Sequence, residues 1–533
     1  MPPPTYPIDL RPCIPVCPGQ SHRAVGLREL LCSAHRIDDL ALPLPPAASA
    51  LLRVLAAITA RVTGLDDPHM PLEQWHQHRT QLLRQGAGFD EAAVHAYFDA
   101  HAFDLFHPTR PFLQDASLPA QCERRAGVNA LVYGRPAGRN LAWFSPHTDT
   151  DPQPVPCDEA LWHLLIHHYY GPSGCCSTRT VGGTSSSKGT AGPLRSTVSF
   201  HPAGATLFET LLLHLTPYRG DGQEETDACP WEREVPPDPL AAPPVVTWPG
   251  RLLTGRSRHA VVLVPTPDGG AVADAYLTWA IEHQHPKLEA TDPYLIIDTD
   301  PEAPVERRRS PRRADADRAV WRDLDALLLA GDETLTTRRP AVFDTLNDVP
   351  EPTRSRMRVR VYGFDQDGKT ANRLWYTALT PPIWTWAQEH DAAMAQRIAD
   401  CRAAAEHLAA VLARAATLAW RQATTPTREA GSDSAPRHGK PPRRTPLWAV
   451  DALAVYWPRA ETVFWQLVHS QQPPRPVFAR EAVAVLRQVT APALVRHRQA
   501  GPALARAVAT LRAAGSPTRT RTRNEKGSAY AQP

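Results

Sequence analysis

The sequence lacks the short motifs that mark most catalytic and nucleotide-binding sites. It has no GxSxG nucleophile elbow, no GxxxxGKS/T phosphate-binding loop and no GxGxxG turn between a strand and a helix. The neighbouring carboxylates Asp149 and Asp151 lie in a polar stretch, where two solvated acids are the ordinary expectation. Because no residue stands out as a nucleophile, we expect a protein that is not an enzyme.

Lysine, paired cysteines and long apolar runs are also scarce. Only five of the 58 basic residues are lysines, and a net charge of +3 is too small to indicate nucleic-acid binding by itself. The nine cysteines include no CxxC pair, which favours reduced thiols over a metal site or a disulfide framework. No run approaches the roughly 18 apolar residues of a membrane span. The start MPPPTYPIDLRP lacks the apolar region of a signal peptide. We therefore expect a soluble cytoplasmic protein with no cofactor and no membrane partner.

A change of periodicity along the chain indicates an α+β protein of two domains. Residues 1–378 mix short strands with helices and predict a large mixed α/β domain. Residues 379–533 predict a C-terminal helical bundle of the four-helix type, followed by a basic disordered tail. The first bundle helix carries apolar residues at alternating steps of four and three, which is the pattern of a packing seam. The seam comprises Met394, Ile398, Cys401, Ala405, Leu408, Leu412, Ala415 and Ala419.

Local patterns predict several elements within the first domain. The predicted strands are 14–16, 259–265 and 294–298, and the predicted helices are 47–62, 72–85, 90–106, 157–170 and 206–215. Asp158 is a candidate N-cap of the helix 157–170, and Thr206 with Glu209 has capping-box spacing. Residues 129–147 resemble two short strands around a Gly-Pro loop. The charge run 306–318 predicts an exposed, flexible segment.

A long stretch rich in glycine, serine and threonine, residues 171–203, separates two of the predicted helices. It carries basic side chains at Arg179, Lys188 and Arg195. Glycine lets a backbone approach another molecule closely, and a long loop without its own secondary structure is usually either functional or disordered. The pattern fits a loop that touches phosphates or a groove floor, and a solvated linker is the alternative.

Residues 356–376 predict a β-hairpin with one cationic face. Met357, Val359 and Val361 alternate with three arginines (Arg356, Arg358 and Arg360), and an Asp-Gly turn follows before a return strand. The tip of this hairpin is polar.

Two histidines offer an alternative reading as a metal-dependent enzyme. His163 and His167 are four residues apart on one helical face, with Cys157, Cys175 and Cys176 nearby in sequence. Leu164 follows His163, so the general base of an HExxH motif is missing.

Taken in order, these segments resemble the large subunit of the type I-E CRISPR Cascade complex, a family often called CasA. The resemblance rests on IPV followed by LRELL, on FDLFHPTRPFLQ (103–114) and on the loop 129–147. The Gly-rich stretch with GATLFETLLLHL behind it, the hairpin VRVYGFDQDGKTANRLW and the terminal helices follow in the family's order. The resemblance covers nearly the whole chain and is weakest over 221–355.

The resemblance implies a non-catalytic subunit of a crRNA-guided antiviral surveillance complex. In such complexes base pairing with the guide reads the target, while protein reads a short adjacent motif, the PAM, and nucleates strand separation. The resemblance implies double-stranded target DNA, the 5′ handle of the crRNA and other Cascade subunits as partners. A helicase-nuclease recruited after target binding is a further implied partner.

The resemblance also implies which residues touch nucleic acid. By this resemblance, a Gly-rich loop (171–192), a lysine and a hairpin wedge read the PAM from the minor groove. The candidates for DNA contact are Gly171, Gly174, Gly182, Gly183, Lys188, Arg195, Lys287, Arg358, Arg360, Gln366, Asp367, Gly368 and Lys369. The guide-contact loop (131–147) has Val132, Tyr133 and Arg135 as its candidates. Paired CxxC elements of some family members are absent here, so no metal is implied. A scaffold that binds only protein remains a further alternative.

Overall fold

Strands and short helices fill the first 390 residues, and long helices fill the remainder. The computed structural model describes residues 3–17, 19, 21–137, 145–217, 227–242, 250, 258–282, 292–329, 336–367, 371–424 and 446–516. The chain divides into two compact units, Met1–His390 and Asp391–Pro533. The α+β class predicted from the sequence is confirmed, whereas the boundary at 378/379 stays a prediction.

The N-terminal unit combines helices and strands along its described length. Its helices are α1 Leu27–Cys32, α2 Pro45–Thr63, α3 Leu72–Gln85, α4 Glu91–Ala100, α5 Leu118–Gln121, α6 Val128–Leu131, α7 Cys157–Tyr170, α8 Leu207–Leu213, α9 Leu324–Leu328 and α10 Glu351–Arg354. Its strands are β1 Ile14–Cys17, β2 Arg23–Val25, β3 Asp39–Leu40, β4 Val155–Pro156, β5 Gly174–Val181, β6 Thr184–Gly189, β7 Val198–Ala203, β8 His259–Pro265, β9 Ala271–Trp279, β10 Ile297–Thr299, β11 Arg309–Pro311, β12 Thr337–Arg338, β13 Arg358–Asp367 and β14 Ala371–Leu379.

Antiparallel pairing arranges these strands in small sheets. The described strands form sheets of order β2-β1-β3, β4-β9-β8, β11-β10-β12 and β14-β13-β7, and β5 pairs with β6 alone. In the last of these sheets, β13 lies between β14 and β7, with Val361 opposite Ala378 on one side and Phe200 on the other. Ladder hydrogen bonds on both edges hold β13 in place.

Helix α2 is the central helix of the N-terminal unit. Its side chains from Pro46 to Ala60 are all buried, and it contacts α7, α8, β13 and β14. Among the described residues, α2 is the one helix long and apolar enough to cross a membrane by length and composition. Because 83% of that apolar window is buried inside the protein, α2 has the character of a core helix.

The C-terminal unit is the predicted helical bundle. Its described residues form α11 Ala392–Thr424, α12 Leu447–Val468, α13 Pro474–Arg496 and α14 Ala500–Ala514. The seam of α11 is buried from Ile398 to Ala419, while Met394 is only half-buried. Tyr456 of α12 donates a hydrogen bond to the Ala405 carbonyl at 3.0 Å, which ties α12 to α11. The basic tail lies outside the described residues.

Several local predictions are confirmed and others are wrong in whole or in part. The helix predicted over 90–106 ends at Ala100, and the strand predicted over 294–298 is Ile297–Thr299. The elements β1, α2, α3, α7 and β8 lie within two residues of the predicted ranges, and Thr206 caps α8 by accepting from the Glu209 amide. Asp158 is not the N-cap of α7, which begins after Pro156 without a side-chain cap. In the described part of 129–147, Val128–Leu131 form a helical turn where a strand is predicted.

The charge run 306–318 is largely exposed in its described part, as predicted, but it also contains the strand β11. Arg312 donates to Asp298 at 2.6 Å and to Asp323 at 2.8 Å, and Arg318 also pairs with Asp323. These acidic partners lie outside the run, so the charge run alone could not indicate the ion pairs.

Four buried histidines predict a loss of stability in mild acid. Burial lowers the pKa of His167 to about 3 and the pKa of His168, His214 and His259 to about 4. Below about pH 6.5 the unfolded chain therefore binds protons that the folded chain does not. We expect the free energy of unfolding to fall by about 1.4 kcal/mol per pH unit for each such histidine. Urea denaturation of the full chain at about pH 7 and about pH 5.5 measures this effect, and equal stability at both would contradict it.

Candidate nucleic-acid interface

Much of the stretch predicted as an irregular Gly-rich loop is a β-hairpin. Strand β5 pairs antiparallel with β6, with Val181 opposite Thr184 and a two-residue turn of Gly182 and Gly183. Both turn glycines have positive φ, at 53° and 87°, which is the backbone that a tight two-residue hairpin turn requires. The prediction of a loop without secondary structure is thus wrong. A Gly-Gly pair between Thr/Val-containing segments is itself a hairpin pattern, and it could have identified the turn.

A buried arginine anchors this first hairpin. Arg179 donates to Asp115 at 2.7 Å, to Gln121 at 2.8 Å and to the Trp279 carbonyl at 2.9 Å. Its guanidinium also lies 5.2 Å from the centre of the Trp279 ring. The Trp279 indole also donates, at 3.0 Å, to the carbonyl of Ser186 on strand β6. The hairpin is therefore attached to β9 by polar contacts, with few apolar residues of its own.

The predicted DNA-contacting residues of this segment differ in exposure. Gly174, Gly182, Gly183 and Lys188 are exposed, with Lys188 opposite Cys175 across the strand pair. Gly171 is buried, and a Cβ there would lie 2.5 Å from His259 Cε1. The close approach that requires glycine at position 171 is therefore an internal one, to His259.

The second hairpin is the predicted β13–β14 pair. Its strands run in register from Arg360 opposite Leu379 to Asp367 opposite Ala371, with an irregularity between Asp365 and Gln366. The predicted alternation is confirmed, since Met357, Val359 and Val361 are buried. Gly368 and Lys369 at the tip lie outside the described residues, as does Lys287.

Arg195 lies beneath the second hairpin, next to the strand pair that precedes the tip. It is only 6% exposed and donates to the Tyr170 carbonyl at 2.8 Å and to Asn372 Oδ1 at 2.5 Å. Its guanidinium lies 5.1 Å from the centre of the Phe364 ring. Arg195 is predicted to contact DNA directly, but in this structure it supports the hairpin from inside the fold.

Gln366 is held in the same place. Its side-chain amide is hydrogen-bonded to Ser196 Oγ and, in the amide orientation that satisfies both partners, accepts two hydrogen bonds of 2.6 Å from Arg195. Gln366 and Asn372 are opposite each other just before the tip, and both are bonded to Arg195. The side chain of Gln366 is thus engaged within the protein immediately before the hairpin tip, and the DNA contact predicted for it stays a prediction.

Ion pairs within the chain neutralise part of the predicted cationic face. Arg356 pairs with Glu209, and Arg360 pairs with Asp39. Arg358 between them is exposed. Asp365, on the same strand, is 5% exposed and accepts from the Ala316 amide at 3.0 Å and from Arg373 at 2.9 Å. These pairs fix the hairpin on the N-terminal unit and leave Arg358 as the more available charge.

The guide-contact loop is mostly anchored in its described part. Val132 is buried, and Tyr133 donates from its hydroxyl to the Tyr170 carbonyl at 3.1 Å. The Tyr133 ring lies 6.1 Å from Trp375 and edge-on to Phe364 at 6.4 Å, so this loop contacts the second hairpin. Arg135 is half-buried and donates to the Gln153 carbonyl. Residues 138–144 of the loop lie outside the described residues.

The two histidines of the metal alternative have other partners. His163 Nδ1 accepts from the Tyr133 amide at 3.3 Å, and the His167 Nε2 atom lies 2.9 Å from the Leu131 carbonyl. Both histidines are buried. In the part of the chain that the structure describes, no group of three or more His, Cys, Asp or Glu residues could hold a metal ion.

Comparison with known proteins identifies the family. The model of the family described as CRISPR-associated protein Cse1 matches residues 10–494. The chain therefore belongs to the Cse1 family, the CasA subunits of type I-E Cascade. A Thermus thermophilus protein named CRISPR-associated protein CasA/Cse1 is 31% identical over 335 residues, which cover 60% of this chain. That match spans 59% of the curated relative's length.

Solved structures agree with this assignment. A chain of a "CRISPR RNA-guided surveillance complex" is 37% identical and has a TM-score of 0.82, with 96% of this chain and 100% of that chain covered. A chain of a "CRISPR RNA-guided surveillance complex, pre-nicking" is 38% identical and has a TM-score of 0.77, with 97% and 100% covered. As a member of this family, the protein is a subunit of the Cascade surveillance complex.

Proposed function

We propose that this chain recognises the PAM duplex from the minor groove and begins the unwinding of target DNA. The observation that carries the proposal is the anchoring of the second hairpin immediately before its tip, where Arg195 joins Gln366 and Asn372 to the end of α7. Inserting a protein element between base pairs costs a few kcal/mol for each unstacked step. An element that does this must be held rigidly close to the inserted tip, and the network around Arg195 holds it there.

Two groups of residues divide the work in this proposal. The exposed hairpin turn at Gly182 and Gly183, together with Lys188, lies against the duplex backbone and the groove floor. The tip of the second hairpin, Asp367 to Lys369, enters beside the first base pair to open. Lys287 is the proposed groove lysine, and Arg358 adds charge next to the duplex. Because the minor groove distinguishes base pairs poorly, such a reader tolerates several PAM sequences.

The remaining partners follow from membership of the complex. Arg135 is the candidate contact to the 5′ handle of the crRNA, because Val132 and Tyr133 are largely occupied inside the fold. We propose that the subunit works in the cytoplasm, has no catalytic activity of its own, and helps to recruit the helicase-nuclease after target binding. A metal-dependent enzyme is not favoured, because His163 and His167 are buried and bonded to Tyr133 and Leu131.

Exchanging Lys188 for alanine tests the first hairpin. If Lys188 neutralises a phosphate, Lys188→Ala should weaken target binding of the assembled complex by about fivefold, or about 1 kcal/mol. The slope of log K against log salt should become shallower by about one. Titrations of a PAM-containing duplex at several salt concentrations measure both quantities.

Cys175, which lies opposite Lys188 across the strand pair, supplies a matched control. Cys175→Ser together with Cys176→Ser alters the opposite strand without removing charge, and binding should change by less than about twofold. A loss above about tenfold in this control would show that thiol or metal chemistry matters at the hairpin. An unchanged salt slope for Lys188→Ala would remove Lys188 from the interface.

A further inference from the structure

One backbone carbonyl joins the guide-contact loop to the second hairpin. The Tyr170 carbonyl, at the last residue of α7, accepts from the Tyr133 hydroxyl at 3.1 Å and from Arg195 Nη1 at 2.8 Å. Tyr133 belongs to the guide-contact loop, and Arg195 holds Asn372 and Gln366 immediately before the hairpin tip. A shift of either donor therefore changes the hydrogen bonding available to the other.

Ring contacts reinforce this junction. The Tyr170 ring is stacked on Phe364 of β13 at 5.4 Å, with an interplanar angle of 22°. Tyr133 meets the same Phe364 ring edge-on, and Arg195 lies over it. Three side chains from three different segments thus contact one aromatic residue of the hairpin. Close-packed contacts of this kind transmit displacements, because a packed interior has little free volume.

The junction is also tied to a fully buried ion pair. The Tyr170 hydroxyl donates to Ser49 Oγ at 2.9 Å, and Ser49 accepts from Arg53 at 2.8 Å. Arg53 forms an ion pair with Asp292 at 3.2 Å, and both side chains are 0% exposed. Asp292 follows the sequence segment that carries Lys287. These contacts therefore connect the guide-contact loop and the second hairpin to Asp292, which follows the segment that carries Lys287.

We infer that Tyr170 is a positioning residue through which the guide-contact loop and the DNA-opening hairpin act on each other. Tyr133 and Arg195 together hold the hairpin immediately before its tip, and a displacement of the guide-contact loop on its partner changes this support. The guide-contact loop is proposed to touch the crRNA, and the second hairpin is proposed to touch the target DNA. The coupling therefore makes DNA opening depend on the correct placement of the guide-contact loop in the complex. The inference rests on the proposed function of both segments.

A double-mutant cycle tests the coupling. Tyr133→Phe removes the hydroxyl that reaches Tyr170, and Asn372→Ala removes one of the two hairpin side chains that accept from Arg195. In the assembled complex, each change should weaken binding to an intact target duplex by roughly fivefold, the factor that one buried hydrogen bond is worth. The double variant should lose about the same fivefold, because both changes break one unit. A product of about 25-fold would overturn the inference, as would a loss for Asn372→Ala with none for Tyr133→Phe.

A second readout separates this inference from the proposed function. On the isolated full chain, Tyr133→Phe should raise amide hydrogen exchange within β13 and β14, and this measurement needs no DNA. Tyr456→Phe is the matched control, since it removes a 3.0 Å hydroxyl-to-carbonyl bond in the C-terminal unit and should leave those amides unchanged. If exchange rises but no variant affects DNA binding, the coupling stands and the DNA-opening role fails. Unchanged exchange in Tyr133→Phe would refute the coupling itself.

Discussion

Replacing the hairpin tip Asp367–Lys369 with short neutral residues should weaken binding of the assembled complex to an intact target duplex by at least about tenfold. The reason is the first unstacked step, because DNA stacking averages about 1.4 kcal/mol and an inserted tip offsets that cost until pairing with the guide takes over. A target that is already unpaired next to the PAM should recover most of the loss, since its opening cost is absent. Titrations of the two DNA substrates under identical salt measure the difference.

A tip variant of the same size but without ionic groups separates the effect of inserting the tip from the effect of its charge. Asp367→Asn with Lys369→Gln keeps the length and bulk of the tip and removes its ionic groups, so it should bind intact duplex nearly as well as the natural chain. Equal losses on the intact and the pre-opened target after tip replacement would show that the tip supplies only charge. No loss on either target would take the hairpin out of the mechanism.

Arg53→Met should destabilise the N-terminal unit by about 3–5 kcal/mol. The change leaves the buried Asp292 carboxylate without its cation, and an uncompensated buried charge costs that much. The same side chain donates to the carbonyl and to the hydroxyl of Ser49, so the polar core loses these bonds as well. Urea unfolding of the full chain at about pH 7 measures the free energy.

An exposed ion pair provides the comparison. Arg23 pairs with Glu29 at 2.5 Å, but their side chains are 46% and 49% exposed. Arg23→Met should therefore change the free energy of unfolding by less than about 1 kcal/mol. If Arg53→Met were as mild as Arg23→Met, the Arg53–Asp292 pair would not be the stabilising centre of the polar core.

Elements with strong periodicity are the part of the fold that the sequence predicts well. The seam of α11 and the strand β13 both follow from regular spacing, at Ile398 to Ala419 and at Met357 to Val361. In both elements the buried side chains are apolar and recur at a regular spacing. The sequence of each segment alone therefore predicts which of its side chains are buried. The resemblance to the CasA family, drawn from the order of such segments, is confirmed by the family match.

The Gly-Gly turn of the first hairpin could be predicted, but the anchoring of the two hairpins could not, for the opposite reason. Strand β6 has the sequence TSSSKG and no apolar stripe, and the hairpin is held by Arg179 through Asp115 and Trp279, which are distant in sequence. Arg195 looks like any basic residue of a polar stretch until Asn372 and Tyr170 are brought to it by folding. Burial of an arginine depends on partners that no local pattern contains.

Discrimination of the PAM by complexes with and without this subunit is the most direct test of the account. The quantity to measure is the ratio of dissociation constants for otherwise identical duplex targets that lack or contain the PAM. With the subunit present, the ratio should exceed about tenfold, and without it the ratio should fall to about one. A ratio that stays the same when the subunit is left out would contradict the claim that this chain reads the PAM.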